Sequence, residues 1–289
     1  MEATHSGGQR PLRGPVSRRS APRARLRALG LRPSKRLSQS FLEDESTAAA
    51  IVRTARIQPD EDVLEVGPGL GVLTERLGKA ARRVVAIEVD TELASALRED
   101  LATTNVTVET ADVLKVDPAS FFEGPFVVVA NLPYHITSPA LRHLLAAGPP
   151  AASRLIVMVQ AEVAQRIAAR PGEMSGLAVA IQAQTRVRIA RRVPAGAFYP
   201  APKVDSAVLV LEPLAESERA IHRAEVPEFT RLVQAGFKQP RKTLSNSLSE
   251  GLGVPKPEAV AHLERAAIDP ALRPQALDVA DWVRLFRSV

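Results

Sequence analysis

Between residues 62 and 169 the chain repeats one unit, and that repeat constrains its fold more than any other feature. Short apolar runs rich in β-branched residues alternate with segments of helical period. Asp62–Gly67 (DVLEVG), Arg82–Asp90, Asn105–Asp112, Phe126–Asn131 (FVVVAN) and Arg154–Val159 read as strands. Leu70–Lys79, the stretch ending at Leu101, Ser138–Ala146 and Ala161–Ala169 read as helices. Strands that are apolar almost throughout must be covered on both faces, so the class is α/β with a mostly parallel sheet. A helix over Ser46–Ile57 precedes the repeat, with Asp44, Ser46 and Thr47 as N-cap candidates. Two later strands, RVRIARRVP (186–194) and KVDSAVLVLEP (203–213), flank the loop AGAFYPAP (195–202).

After Pro213 the strand signals stop. Ala215–Val226 is charged and reads as a linker, and helical patterns follow over Pro227–Phe237, Lys242–Leu252, Pro257–Ala267 and Val279–Phe286. The expected organisation is a basic, disordered arm (1–36), an α/β domain (37–213) and a small all-helical C-terminal domain (214–289). The arm holds ten Lys/Arg against the single acid Glu2, while the rest of the chain has 28 basic and 31 acidic residues. A Pro-containing basic arm with few large apolar residues suits phosphate contacts. There is no Cys, which excludes disulfides and thiolate metal sites, and the five His lack ligand spacing, so no metal is expected. No apolar run is long enough for a membrane span. The N-terminus lacks the apolar core of a secretory signal, leaving an organelle transit peptide as the alternative to a cytoplasmic protein. A monomer is the default.

The loop EVGPGLGVLTERL joins the first strand to its helix, where backbone N–H groups and close approach favour a bound cofactor. A dinucleotide fingerprint would have Gly67, Gly69 and a third glycine where Val72 stands. Instead Glu65 precedes the loop. An acid there is awkward beside a pyrophosphate and sensible beside an amine-bearing ligand. Glu88 closes the second strand, where a carboxylate binds ribose hydroxyls, and Asp112 follows the third, where it would accept from an adenine amine. Three acids converging on one crevice suit S-adenosylmethionine, which has an amino acid, a ribose and an adenine but no phosphate.

The fourth strand ends in Asn131-Leu132-Pro133-Tyr134. A plain turn would use Gly or Asp; an amide, a proline and an aromatic ring gathered at a strand end belong to a site. The exocyclic amine of adenine is a weak nucleophile because its lone pair is delocalised into the ring. The Asn131 side-chain oxygen and the Leu132 carbonyl would hold its N–H bonds and favour an sp3-like nitrogen. Pro133 would fix the chain direction, and Tyr134 would stack on a purine turned out of its RNA context.

NLPYHITSP resembles the adenine-N6 methyltransferase motif in the form used by the rRNA adenine dimethyltransferase family. The resemblance runs from Lys35 onward through KRLSQSFLEDE, EVGPGLGVLTERL, VMVQAEVAQRI, GAFYPAPKVDSAVLVLEP and FKQPRKTLSNSL. It implies a Rossmann-like class I methyltransferase domain followed by a helical domain. It also implies N6,N6-dimethylation of two adjacent adenosines near the 3′ end of small-subunit (16S) rRNA, coupled to small-subunit biogenesis. By motif position the cofactor contacts fall on Gln39, Ser40, Leu42, Glu65, Gly67, Gly69, Glu88, Asp112 and Asn131. Phe198 sits where the family places a second aromatic against the target base, and it reads equally as core filler. The family's leading motif usually has Gly-Gln-Asn-Phe-Leu, whereas Ser38 and Ser40 replace the Gly and Asn here.

Arg186, Arg188, Arg191, Arg192 and Lys203, and again Lys238, Arg241 and Lys242, are candidates for contacts to RNA phosphates. Two other readings stand beside the first: a resistance-type methyltransferase acting on large-subunit (23S) rRNA, and an RNA-binding assembly factor with methylation secondary.

Overall fold

The computed structural model describes residues 21–34, 36–102 and 104–289. The expectations for residues 1–20, most of the basic arm, and for Lys35 lie outside the described residues. In chain order the helices and strands are α1 (Pro22–Leu29), β1 (Phe41–Leu42), α2 (Glu45–Ala55), β2 (Asp62–Val66), α3 (Val72–Ala80), β3 (Arg83–Glu88), α4 (Thr91–Asp100), β4 (Val106–Thr110), β5 (Phe126–Asn131), α5 (Thr137–Ala146), β6 (Ala152–Gln160), α6 (Ala161–Ile167), α7 (Gly176–Gln182), β7 (Thr185–Val193), β8 (Phe198–Tyr199), β9 (Ser206–Pro213), α8 (Val226–Gly236), α9 (Leu244–Leu252), α10 (Lys256–Arg265) and α11 (Val279–Ser288).

Seven strands form one sheet in the order β4-β3-β2-β5-β6-β9-β7. The first five are parallel, β9 runs antiparallel to β6, and β7 antiparallel to β9. The alternation of β2 and β5 side chains feeds two separate cores. Leu64, Val66, Val128 and Ala130 pack with α5 and α6, and Val63, Val127 and Val129 pack with α2 and α3. Burial on both faces is why these strands carry no polar alternation. Asp44 caps α2 by accepting from the backbone N–H groups of Ser46 and Thr47 at 3.0 and 3.2 Å.

Three features depart from the expected organisation. Residues 22–29 form a helix: Leu26 is buried against Phe41, Leu70 and Leu93, and Arg25 is paired with Asp100. This part of the arm is therefore ordered, because a single leucine and the stem of an arginine find a pocket that local composition does not reveal. The charged segment 215–226 is packed rather than loose, with two 3-10 turns and Ile221 fully buried in the C-terminal core. That core, built around Trp282, Phe229, Leu248 and Leu263, also takes in Met174, Ala178 and Val179 from α7 and the turn before it. The helical unit thus reaches back across residue 213 for part of its own interior.

Candidate active site

The five parallel strands all point their carboxyl ends to one edge of the sheet, and a cleft open to solvent lies there. Strand ends of this kind are where open α/β sheets take small ligands. Its walls include Gln39, Ser40, Leu42, Glu65, Gly67, Gly69, Glu88, Asn131, Leu132, Pro133, Tyr134 and Phe198. Eight of the nine expected cofactor residues are therefore side by side, although they come from segments up to 92 positions apart in the chain.

The glycine loop takes the shape its composition allows. Gly67, Gly69 and Gly71 all have positive φ, 69°, 55° and 83°. At Gly69 the constraint is double, since a Cβ would also lie 3.1 Å from the Phe41 ring. The amide of Gly69 donates to Glu88 Oε2 at 3.0 Å, and the amide of Asp90 donates to Glu88 Oε1 at 3.0 Å. Burial raises the Glu88 carboxyl above its usual value, with these two amides opposing the rise. Glu65 is 1% exposed, and its Oε2 has no hydrogen-bond partner among the described residues. Burial pushes its carboxyl from 4.5 up to about 8. An orphaned buried carboxyl lining a cleft awaits a donor or a cation from outside the protein.

Asn131 ends β5 with its amide at the cleft. Its Nδ2 donates to the Ser40 carbonyl at 3.3 Å, which leaves Oδ1 as the amide's acceptor. The next amide, Leu132 N–H, is tied to the Met158 carbonyl at 3.1 Å. Tyr134 starts a 3-10 turn, half-buried, with its hydroxyl 2.8 Å from Ser206 Oγ. Phe198 is 3% exposed, packed in the core with α2 side chains, and also lines the cleft.

The segment carrying Ser38–Leu42 is fastened to this edge by long-range pairing. Phe41 and Leu42 form a two-strand ladder with Tyr199 and Phe198, and Ser40 Oγ donates to the Pro200 carbonyl at 2.6 Å. Gln39 Nε2 donates to Asp90 at 2.9 Å, and its Oε1 accepts from the Ser34 amide at 2.8 Å. The serine that replaces the family's asparagine thus commits its hydroxyl to a backbone carbonyl of the opposite loop.

Asp112 follows β4 by two residues, on the carboxyl edge of the sheet where the cleft lies. It caps a 3-10 turn, accepting from the Leu114 amide at 3.0 Å, with Lys115 3.8 Å away. Of the basic candidates, Arg186 is paired with Glu218 at 2.6 Å, Arg192 with Asp205 at 3.7 Å and Lys238 with Glu250 at 3.6 Å. Arg188, Arg191, Lys203, Arg241 and Lys242 are exposed. Sequence reasoning missed Phe41 and Val89 as cleft walls. Val89 is 48% exposed at the strand end; its place directly after Glu88, an acid already assigned to the cleft, was the usable signal. Phe41 had no local signal. No group of His, Asp and Glu among the described residues has metal-holding geometry. No described helix is long and apolar enough to cross a membrane.

A five-strand parallel core with two added antiparallel strands, helices on both faces and a glycine-lined cleft at the carboxyl edge defines a class I methyltransferase. The solved structure of the 23S rRNA methyltransferase ErmE matches it with a TM-score of 0.66 and 32% identity, covering 86% of this chain and 98% of that one. A dimethyladenosine transferase from Plasmodium falciparum matches with a TM-score of 0.71 and 26% identity, covering 85% and 95%. The family described as ribosomal RNA adenine dimethylase matches residues 30–289, and the chain belongs to that family. Two relatives, both called ribosomal RNA small subunit methyltransferase A, are each 40% identical. That of Dehalococcoides mccartyi covers 88% of either chain, and that of Rhodococcus erythropolis 96% of this chain and 94% of its own.

Proposed function

We propose that this protein transfers methyl groups to the N6 atoms of adenosines in small-subunit rRNA, forming N6,N6-dimethyladenosine with S-adenosylmethionine as donor. One observation carries the reading: Asn131 and Tyr134 line the same cleft, and the Asn131 amide is anchored through Nδ2, which leaves Oδ1 as its acceptor. The residues fit the cofactor. Glu65 has a buried carboxyl oxygen without a hydrogen-bond partner among the described residues, suited to an ammonium group, and a Cβ at Gly69 would lie 3.1 Å from the Phe41 ring. Glu88, with Val89 beside it, would hold the nucleoside end, and Gln39, Ser40 and Leu42 would close the opposite wall. Bound there, S-adenosylmethionine supplies an electrophilic methyl group on a sulfonium.

The protein's part is positioning. Asn131 Oδ1 and the Leu132 carbonyl accept the two N–H bonds of the adenine amine and draw its lone pair out of ring conjugation. Pro133 sets the direction of the Leu132 carbonyl. Tyr134 stacks on the base, its ring angle held by the bond to Ser206. Phe198 supports that pocket from beneath, as its burial suggests. Asp112, in the turn after β4, would accept from the adenine amine while its Oδ1 holds the Leu114 amide. Lys203, Arg241 and Lys242 remain candidates for phosphate contacts, with the paired Arg186, Arg192 and Lys238 weaker ones.

The similarity to relatives named for the small subunit at 40% identity, against 32% for ErmE, favours the small-subunit target over large-subunit rRNA. The test supplies labelled S-adenosylmethionine with small subunits lacking the dimethylation and, separately, deproteinised large-subunit rRNA. Dimethyladenosine in the small subunits is expected by mass spectrometry, with turnover lowered at least ~100-fold in Asn131→Ala, the scale seen when one oriented polar contact to a reacting group is removed. Product confined to large-subunit RNA overturns the target. An Asn131→Ala protein that fully restores ribosome maturation in a deletion strain makes assembly the main role.

A further inference from the structure

On the flank of the molecule, away from the cleft itself, four arginines surround one groove. Arg53 and Arg56 come from the end of α2, Arg188 and Arg191 from the edge strand β7, and Ala50 and Ala190 form its small-residue floor. All four arginines are exposed, and none has a hydrogen bond or ion pair through its side chain among the described residues, unlike Arg186 and Arg192 on the same strand. No carboxylate lines the groove.

Two backbone irregularities build this cluster. In a regular strand residues three apart point to opposite faces. The β7–β9 register slips between Ile189 and Arg191, so Arg188 pairs with Val210 and Arg191 with Val208. Val208 and Val210 both face the α2 side of the sheet, and the bulge at Ala190 therefore turns both arginines toward α2. Arg53 lies in the last turn of α2 and Arg56 is its C-cap, and both line the groove. Arg56 has a left-handed conformation, φ 49°, at a helix end where Gly or Asn is the low-energy choice. The platform is rigid, because Arg154 donates to the Ala55 and Arg56 carbonyls at 2.7 and 3.0 Å and also pairs with Glu61.

Both walls lead to the catalytic cleft: α2 starts directly after the Phe41–Leu42 ladder, and β7 runs into the loop that carries Phe198. We propose that this groove is a docking track for the phosphodiester backbone of the rRNA substrate, gripping a stretch of RNA that passes down the flank from the target adenosine. Four unpaired guanidiniums without an acid among them suit a run of phosphates, and such contacts position the RNA without reading its sequence. The inference rests on the rRNA reading above.

The test measures binding of unmethylated small ribosomal subunits to the full-length protein over a KCl series, together with methyl transfer and cofactor affinity. Arg53→Gln/Arg56→Gln and Arg188→Gln/Arg191→Gln should each weaken subunit binding roughly 10-fold near 0.1 M salt. Each should also lower the slope of log K against log salt by about 2, because each arginine removed leaves one phosphate with its counterion still condensed on it. Arg166→Gln/Arg231→Gln, which removes the same charge elsewhere, should change neither, and cofactor affinity should stay constant throughout. Arg56→Gly separates recognition from folding, since it should leave thermal stability equal or higher while still weakening binding. Unchanged affinity and slope in both groove pairs, with wild-type methyl transfer intact, overturns the track. Groove-dependent binding without methyl transfer by the wild type upholds the track and removes the catalytic reading instead.

Discussion

Glu65 concentrates the physical chemistry of the cleft in one side chain. Its folded-state pKa of about 8 lies well above the ordinary 4.5, and burial is the principal cause. Between those values the unfolded chain has released the proton while the folded chain still holds it, so deprotonation draws the equilibrium toward unfolding. The contribution of this residue to stability should therefore decline as pH rises from about 4.5 and level off once pH passes about 8. Glu88 is shifted in the same direction, so the informative quantity is the difference between wild type and Glu65→Gln, whose amide titrates in neither state. Urea midpoints from pH 5 to 9 should show the variant gaining on the wild type across this window. Parallel curves would mean that Glu65 is hydrated and ionised. An ammonium placed against Oε2 would pull the proton off, which is how an acid so costly to bury is stabilised in the bound state.

At the scale of elements, the loop from β2 to α3 works because three constraints meet at Gly69: a left-handed φ, a contact with Phe41, and an amide committed to Glu88. Gly69→Ala meets the first two at once. It should cost about 1–2 kcal/mol for the left-handed residue alone, and more if the Phe41 ring cannot yield. Loss of cofactor affinity in a calorimetric titration should exceed the loss of stability in a denaturant melt, because a displaced Phe41 also shifts the ladder holding Ser40 and Leu42. An Ala variant with wild-type cofactor affinity would show that the loop tolerates a side chain and that the wall is set elsewhere.

At the scale of the whole molecule, the N-terminal helix is coupled to the cleft through a short chain of contacts. Leu26 of α1 packs on Phe41, Leu70 and Leu93, all of which line the cleft, and the Arg25–Asp100 pair fixes α1 against α4. Leu26→Ala should destabilise the fold by roughly 2–4 kcal/mol, the usual range for a buried leucine, and weaken cofactor binding with it. A melt unchanged within error would mean that α1 is peripheral and that Phe41 holds its position without it. The helical C-terminal unit is joined to the α/β layer in the same way, since α7 supplies part of its core. A cut at residue 213 would expose apolar surface on both pieces.

Periodicity and motif spacing alone determined the α/β class, the five parallel strands, the four C-terminal helices, the glycine loop and the Asn131–Tyr134 strand end. These are local properties: strand burial is written in runs of Val and Ile, and left-handed turns in glycine. The pattern also identified Glu65 and Glu88, because a parallel sheet carries every strand's carboxyl end to one edge. What depends on pairing between distant segments was decided only by tertiary structure. The ladder of Phe41–Leu42 with Phe198–Tyr199 and the pocket that orders α1 inside a basic arm belong there. So does the arginine groove, because a one-residue bulge reverses which face a side chain takes, and no composition or spacing in β7 announces it.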